Sequence, residues 1–258
     1  MDLNFRKYGE GPPLIILHGL FGSSDNWHAM ARCWSQHFTV FAVDQRNHGA
    51  SPHTTGINYN LLSGDLQGFM DEQQIESAFL VGHSMGGKVA MLFADQFPER
   101  VRGLVILDIG IKAYEPRHEA ILEVLRDLGP ETFDHRNELE PVLAKSIASP
   151  GVRQFLIKNL KRDTSGKLAW KFNRQAILAD YPKLVAEIPM QVPCDLPALF
   201  IRGANSDYIT NGDWPVLQNF FPRGELTTLE DAGHWLHAEK PNEICDLVHQ
   251  TLVHWLAA

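Results

Sequence analysis

Cysteine is scarce. The chain has three in 258 residues, Cys33, Cys194 and Cys245, an odd number with no C-x-x-C spacing. That pattern predicts reduced, buried structural thiols in a cytoplasmic protein, not a disulfide framework. Long apolar runs are absent too, and none approaches the length of a membrane span. The first seven residues, Met1 to Lys7, carry no apolar h-region, so no signal peptide is expected. Positive charge is in deficit: Lys and Arg number 23 against 31 Asp and Glu, a net charge of −8. This argues against nucleic acid or an anionic membrane surface as the main partner. No internal repeat or low-complexity tract appears. No G-x-G-x-x-G follows the first apolar strand, so no dinucleotide is expected. No H-E-x-x-H or carboxylate cluster is present, and His234 and His237 lie three apart outside any assignable helix. Neither a metal nor another cofactor is therefore expected.

What is present is an α/β pattern. Apolar residues make up 44% and charged residues 21%, enough core for one large domain or a core with a small cap. Pro13 to Leu17, Phe38 to Val43, Ala78 to Val81, Val101 to Ile109 and Leu196 to Gly203 are near-continuous apolar runs. They suit strands buried on both faces of a parallel sheet. Leu3 to Tyr8 and Glu225 to Leu229 add outer strands. Between them, Asn60 to Gln73 has helical spacing, with Leu61, Leu62, Leu66, Phe69 and Met70 on one side. Asn242 to Leu256 closes the chain as a helix whose stripe is Ile244, Leu247, Val248, Leu252 and Trp255. From Ile111 to Val192 strand signals vanish and amphipathic helical runs replace them. The expected architecture is a mostly parallel, doubly wound sheet, residues 1–110 and 193–258, with a small helical cap, residues 111–192, inserted over one edge.

One stretch joins this architecture to chemistry. Gly82-His83-Ser84-Met85-Gly86 separates an apolar strand from a helix-compatible run, the context of a nucleophile elbow. The tight turn requires small residues two before and two after the serine, and Gly82 and Gly86 meet that demand. The same stretch through Lys88 lacks phosphate-loop spacing, and no Ser or Thr follows the lysine. His18-Gly19, Asp44, Ser84, Asp108, Asp207 and His234 each fall just after an expected strand. They converge on the sheet edge where such folds bind ligands.

A serine hydroxyl needs a base to take its proton, and the base needs an acid to orient it. His234, in Asp231-Ala232-Gly233-His234-Trp235, follows the last strand and fits the chain order nucleophile, acid, histidine. His237 is its main decoy. Two acids stand at the correct edge: Asp207, after the penultimate strand, and Asp108, after the strand that follows the serine. The oxyanion hole needs two backbone donors, for which Met85 and Leu20 are the expected sources. Phe21, Trp170, Phe172 and Trp235 are candidates for an acyl pocket.

Together these residues resemble the α/β-hydrolase superfamily. The carriers are His18-Gly19-Leu20-Phe21-Gly22-Ser23, Gly82-His83-Ser84-Met85-Gly86-Gly87 and Ala232-Gly233-His234. Asn47-His48, where the superfamily usually has glycine after the arginine, and the extra residue before Asp207 are similar to the bacterial YbfF-type esterases and the ABHD11-like proteins. That resemblance implies Asp108 as the acid. It also implies a cytoplasmic serine carboxylesterase for small, short- to medium-chain acyl esters or thioesters, without cofactor, as a monomer or small homo-oligomer. A carbon–carbon bond hydrolase or perhydrolase on the same three residues, or a slow-turnover receptor, is the alternative. If His234 is the base, it must be neutral to act. A pH profile of ester hydrolysis is then expected to fall below roughly pH 6–7, and a profile flat to acid would exclude it.

Overall fold

The computed structural model describes residues 1–257. The chain runs β1 (Phe5–Tyr8), β2 (Pro13–Leu17), α1 (His28–Trp34), β3 (Thr39–Val43), α2 (Tyr59–Glu72), β4 (Ala78–His83), α3 (Met85–Gln96) and β5 (Val101–Leu107). An insertion follows: α4 (Glu119–Asp127), α5 (Leu139–Leu143), α6 (Pro150–Lys158), β6 (Leu160–Arg162), β7 (Leu168–Trp170) and α7 (Arg174–Val185). The chain then returns through β8 (Ala198–Gly203), α8 (Trp214–Phe220), β9 (Gly224–Leu229), α9 (Leu236–Glu239) and α10 (Pro241–Ala257).

Seven strands form one sheet in the order β1-β3-β2-β4-β5-β8-β9. Only β1 runs antiparallel, pairing Phe5 with Val43 and Tyr8 with Val40. The apolar runs are continuous because both faces are covered. Leu14, Ile16, Val81, Val105 and Leu107 pack on one side with Trp34, Phe38 and the α10 residues Ile244, Val248 and Leu252. Ile15, Leu17, Leu80, Leu104 and Ile106 pack on the other, against Leu66 and Phe69 of α2 and Val89 and Phe93 of α3. Helix α3 is buried from Met85 to Ala94, as a helix apolar on every side must be. Arg46, just past β3, reaches Asp65 of α2 through a bond from Nη2 to Oδ1 at 2.8 Å, inside the fold.

Three expectations need correction. Residues 111–192 are not purely helical: β6 and β7 pair antiparallel, Leu160 with Trp170. Each is three residues long, too short to leave a period in the sequence. Leu61 is not on the buried side of α2 but 39% exposed, because it lies one residue off the stripe that Leu62, Leu66 and Phe69 share. The thiols are not all reduced. Cys33 of α1 and Cys245 of α10 are disulfide-bonded with Cα atoms 6.2 Å apart, inside the range a disulfide spans. Cys194 alone is free, buried, with its thiol pushed up to about 11. Two helices distant in sequence pack side by side, a proximity that spacing could not show. The bond removes the argument from thiols to a cytoplasmic location.

Because the bond closes a loop of most of the chain, Cys33→Ser, or reduction of the parent, is expected to lower Tm by roughly 5–15 °C. Calorimetry with and without reductant checks this, and an unchanged Tm would mean the bond contributes nothing in solution.

Candidate active site

The elbow sits where β4 ends. Ser84 has φ of 52° and ψ of −119°, a left-handed backbone conformation that side chains other than glycine's seldom adopt. The turn is that tight because its neighbours are bare. A Cβ on Gly82 would lie 2.5 Å from the Gly86 carbonyl oxygen, and one on Gly86 would lie 2.1 Å from that of Leu17. Any larger residue at Gly86 would push α3 off β2. Ser84 is left facing outward at the carboxyl edge, with the Met85 amide at the first position of α3.

Ser84 Oγ lies 3.0 Å from His234 Nε2, and His234 Nδ1 lies 2.8 Å from Asp108 Oδ2. His234 arrives on the loop after β9. His83 Nε2 donates to the His234 carbonyl at 2.8 Å, and burial holds the His83 imidazole well below its ordinary range. A neutral His83 is therefore one of the ties on that loop. Tyr208 covers one face of His234, rings stacked with centroids 3.8 Å apart and 12° between planes. Asp108 ends β5 at φ of 50° and is wholly buried. It also accepts from the Gly203 amide at 3.2 Å and from the Ser206 hydroxyl. A buried carboxylate with three donors is a satisfied one.

Asp207, the other acid the sequence offered, is not beside His234. Its side chain is 70% exposed and pairs with Arg117 of the insertion, whose hydrogen bond holds the Asp207 carboxyl below its ordinary range. In Gly203-Ala204-Asn205-Ser206-Asp207, Ser206 meets Asp108 while Asp207 turns outward to Arg117. His237, the decoy base, is stacked on Trp27 at 4.4 Å, and burial pushes it down to about 3.

Leu20 lies in the loop after β2, whose shape depends on two histidines. His18 Nδ1 donates to Gly19 O at 2.8 Å, while its Nε2 accepts from the Gln45 amide at 3.0 Å. His48 Nδ1 donates to Arg46 O at 2.9 Å, and its Nε2 accepts the Phe21 amide at 3.2 Å. The Gly22 amide bonds Gly19 O. The amides of Phe21 and Gly22 are thus occupied, and Leu20 and Met85 both line the cavity at Ser84. Asn47 extends the same turn to the insertion, accepting the Asn173 amide at its carbonyl at 2.7 Å. Asn47-His48 thus ties both the Leu20 loop and the insertion to the core.

The cavity at Ser84 holds about 30 Å³, and its walls include Leu20, Tyr59, Lys88, Tyr114, His118 and Tyr208. That is room for little more than two water molecules. None of Phe21, Trp170, Phe172 and Trp235 lines it. Phe21, Phe172 and Trp170 form a buried stack, centroids 5.2 Å apart at each step, and Phe21 backs His118 at 5.7 Å. Trp235 instead packs on Phe155 at 4.4 Å in a separate cleft of about 460 Å³ that also takes in Lys158 and His237. The aromatic residues that do meet the cavity, Tyr59, Tyr114, Tyr181 and Tyr208, carried no motif. Among the described residues no group of three or more His, Cys, Asp or Glu is placed to hold a metal ion. No helix among them is long and apolar enough to cross a membrane.

Known proteins resemble this chain in sequence and in fold. The family profile described as "alpha/beta hydrolase fold" matches residues 12–139. Esterase YbfF of Escherichia coli is 35% identical over 260 residues, covering 98% of this chain and 99% of that protein. The mouse sn-1-specific diacylglycerol lipase ABHD11 is 35% identical over 245 residues, covering 92% of this chain and 80% of that protein. A solved marine microorganism esterase superposes with a TM-score of 0.94 at 39% identity, covering 97% of this chain and 99% of its own. The chain belongs to the α/β-hydrolase family, in the branch that holds the YbfF and ABHD11 proteins.

Proposed function

We propose that this carboxylic ester hydrolase works through Ser84, His234 and Asp108 on short- to medium-chain acyl esters or thioesters, with residues 111–192 as its cap. The observation that carries the reading is the unbroken line from Ser84 Oγ through His234 to Asp108, at 3.0 and 2.8 Å. Asp108 fixes the imidazole with Nδ1 protonated, which leaves Nε2 free to accept. Ser84 Oγ attacks the acyl carbonyl while Nε2 takes its proton. The carbonyl oxygen, now an anion, is held by the amides of Leu20 and Met85. Nε2–H then protonates the leaving alcohol or thiol, and the acyl group stays on Ser84. Water, deprotonated by the same nitrogen, attacks the acyl-enzyme and releases the acid. Each amide donor in such a hole contributes roughly 10²–10³ in rate.

The size of the cavity supports the short end of the acyl range. A chain longer than a few carbons does not fit about 30 Å³ unless the cap moves.

Hydrolysis of p-nitrophenyl esters from acetate to laurate tests both parts. kcat/KM is expected to fall along the series, and equal rates for laurate and acetate would overturn the acyl-cavity assignment. Ser84→Ala is expected to lose about 10⁴-fold or more in kcat. Asp108→Asn is expected to lose about 10⁴-fold because the wrong tautomer is held, while Asp207→Asn stays within about threefold of the parent. The opposite ranking of the two aspartates would reassign the acid, and a parent inactive on every ester would overturn the esterase reading.

A further inference from the structure

Lys88 is a buried charge that hydrolysis does not use. It sits on α3 one turn beyond Ser84, its amide bonded to the Ser84 carbonyl at 3.1 Å, and it is 1% exposed. No carboxylate pairs with it within salt-bridge distance among the described residues. Burying an unpaired ammonium is costly, so what it touches matters. Nζ donates to the carbonyl of Lys112 at 2.6 Å and to that of Ala186 at 2.5 Å. It also faces the rings of Tyr114 at 4.9 Å and Tyr59 at 5.5 Å. Those rings provide the electron-rich surfaces that a desolvated cation otherwise lacks.

The two carbonyls belong to the two legs by which residues 111–192 leave and rejoin the core. The legs pair with each other, Tyr114 N to Val185 O at 2.8 Å and Ile188 N to Ile111 O at 3.0 Å. That short ladder uses the carbonyls of Ile111 and Val185. The next carbonyl on each leg points the other way, and Lys88 takes both. Around this point Tyr59 Oη donates to Leu184 O at 2.6 Å, and Tyr114 Oη accepts the Gly110 amide and donates to Tyr208 O, each at 2.8 Å. Lys88, Tyr59 and Tyr114 all line the cavity at Ser84.

We propose that Lys88 is a positioning residue: its Nζ clamps both legs of the cap to the helix that begins at Ser84, and so fixes the acyl cavity. The consequence for chain length rests on the esterase reading; the clamp itself does not. Loss of the clamp lets the legs part, the cavity widen and longer acyl chains enter.

Burial brings the Lys88 ammonium down to about 7, with the attraction of Glu187 on the second leg opposing. The shifted tyrosines and histidine around it move away from neutral pH. Tyr59 and Tyr114 are raised by burial, and Tyr208 is raised to about 12. His118 is lowered to about 4, Lys112 is paired with Asp213, and Arg117 is paired with Asp207. A neutral amine still has two N–H groups for two carbonyls. When the legs part and Lys88 meets water, its affinity for a proton rises, so the open state binds more protons than the closed one. The clamp therefore tightens as pH rises above about 7.

The test is Lys88→Met in the full chain, read by amide hydrogen exchange and by ester kinetics. The amides of Tyr114 and Ile188 are expected to exchange at least about tenfold faster, while those within α3 hold. KM for p-nitrophenyl butyrate is expected to rise about tenfold, and octanoate is expected to gain relative to acetate. In the unaltered chain, opening at Tyr114 and Ile188, corrected for intrinsic exchange, is expected to become rarer from about pH 6.5 to about pH 9; in the variant it is flat. Unchanged exchange in the variant overturns the clamp. Should the variant not fold, Lys88→Gln, whose amide sits on a shorter stem, is read in the same way, and unchanged leg exchange in it overturns the clamp. A variant with faster leg exchange in a parent that hydrolyses no ester keeps the clamp and sinks the esterase reading instead.

Discussion

The missing Cβ atoms at Gly82 and Gly86 are the constraint on which the molecule depends. They let α3 begin directly at the end of β4, against the Leu17 carbonyl of the neighbouring strand. The contact forces Ser84 into its left-handed conformation and turns the hydroxyl toward the sheet edge. Asp108 shows the same left-handed strain at the end of the adjacent strand. Each strained residue is held from several sides, which is the condition for keeping strain in a folded chain. Ser84 is held by the packing of a wholly buried helix, and Asp108 by three donors.

Around that edge the histidines divide by burial. His18, His48 and His83 are buried, each below its ordinary range, and each bonds backbone. They act as neutral spacers that carry one donor and one acceptor at a fixed separation, a use for imidazole where a loop must bond another loop. Among the described residues His234 alone has both ring nitrogens on side chains, one of them a serine hydroxyl. The insertion adds a second kind of support. Arg117 links it to Asp207 and lies 4.8 Å from the Tyr208 ring, which in turn covers His234. The residue first offered as a triad acid thus contributes from outside, by holding the cation that packs against the imidazole's neighbour.

Periodicity made the parallel strands and long helices legible because burial on both faces leaves an unbroken apolar run. Ser84 and His234 were legible because each occupies a strand end in a short motif. The choice between Asp108 and Asp207 was not, since both have the same type and the same edge. Ser206 takes the place against Asp108 while Asp207 turns out, and only the fold of the loop after β8 shows which carboxylate meets Nδ1. The pocket aromatics failed for a related reason. Trp170 and Phe172 share the insertion with Tyr114 and Tyr181, and no local pattern says which rings face the cavity and which stack behind it.

What the sequence determined by itself is whatever depends on neighbours along the chain: strand and helix periods, the bare glycines of the elbow, the order of serine, acid and histidine. Such features are fixed within a few residues, by sterics and by the amphipathic face each segment presents. The tertiary structure decided what depends on neighbours in space: the Cys33–Cys245 bond, the outward turn of Asp207, the tyrosine-walled cavity and the meeting of Lys88 with both legs of the insertion. Each of these joins segments far apart in sequence, and their proximity exists only once the sheet and its covering helices have closed.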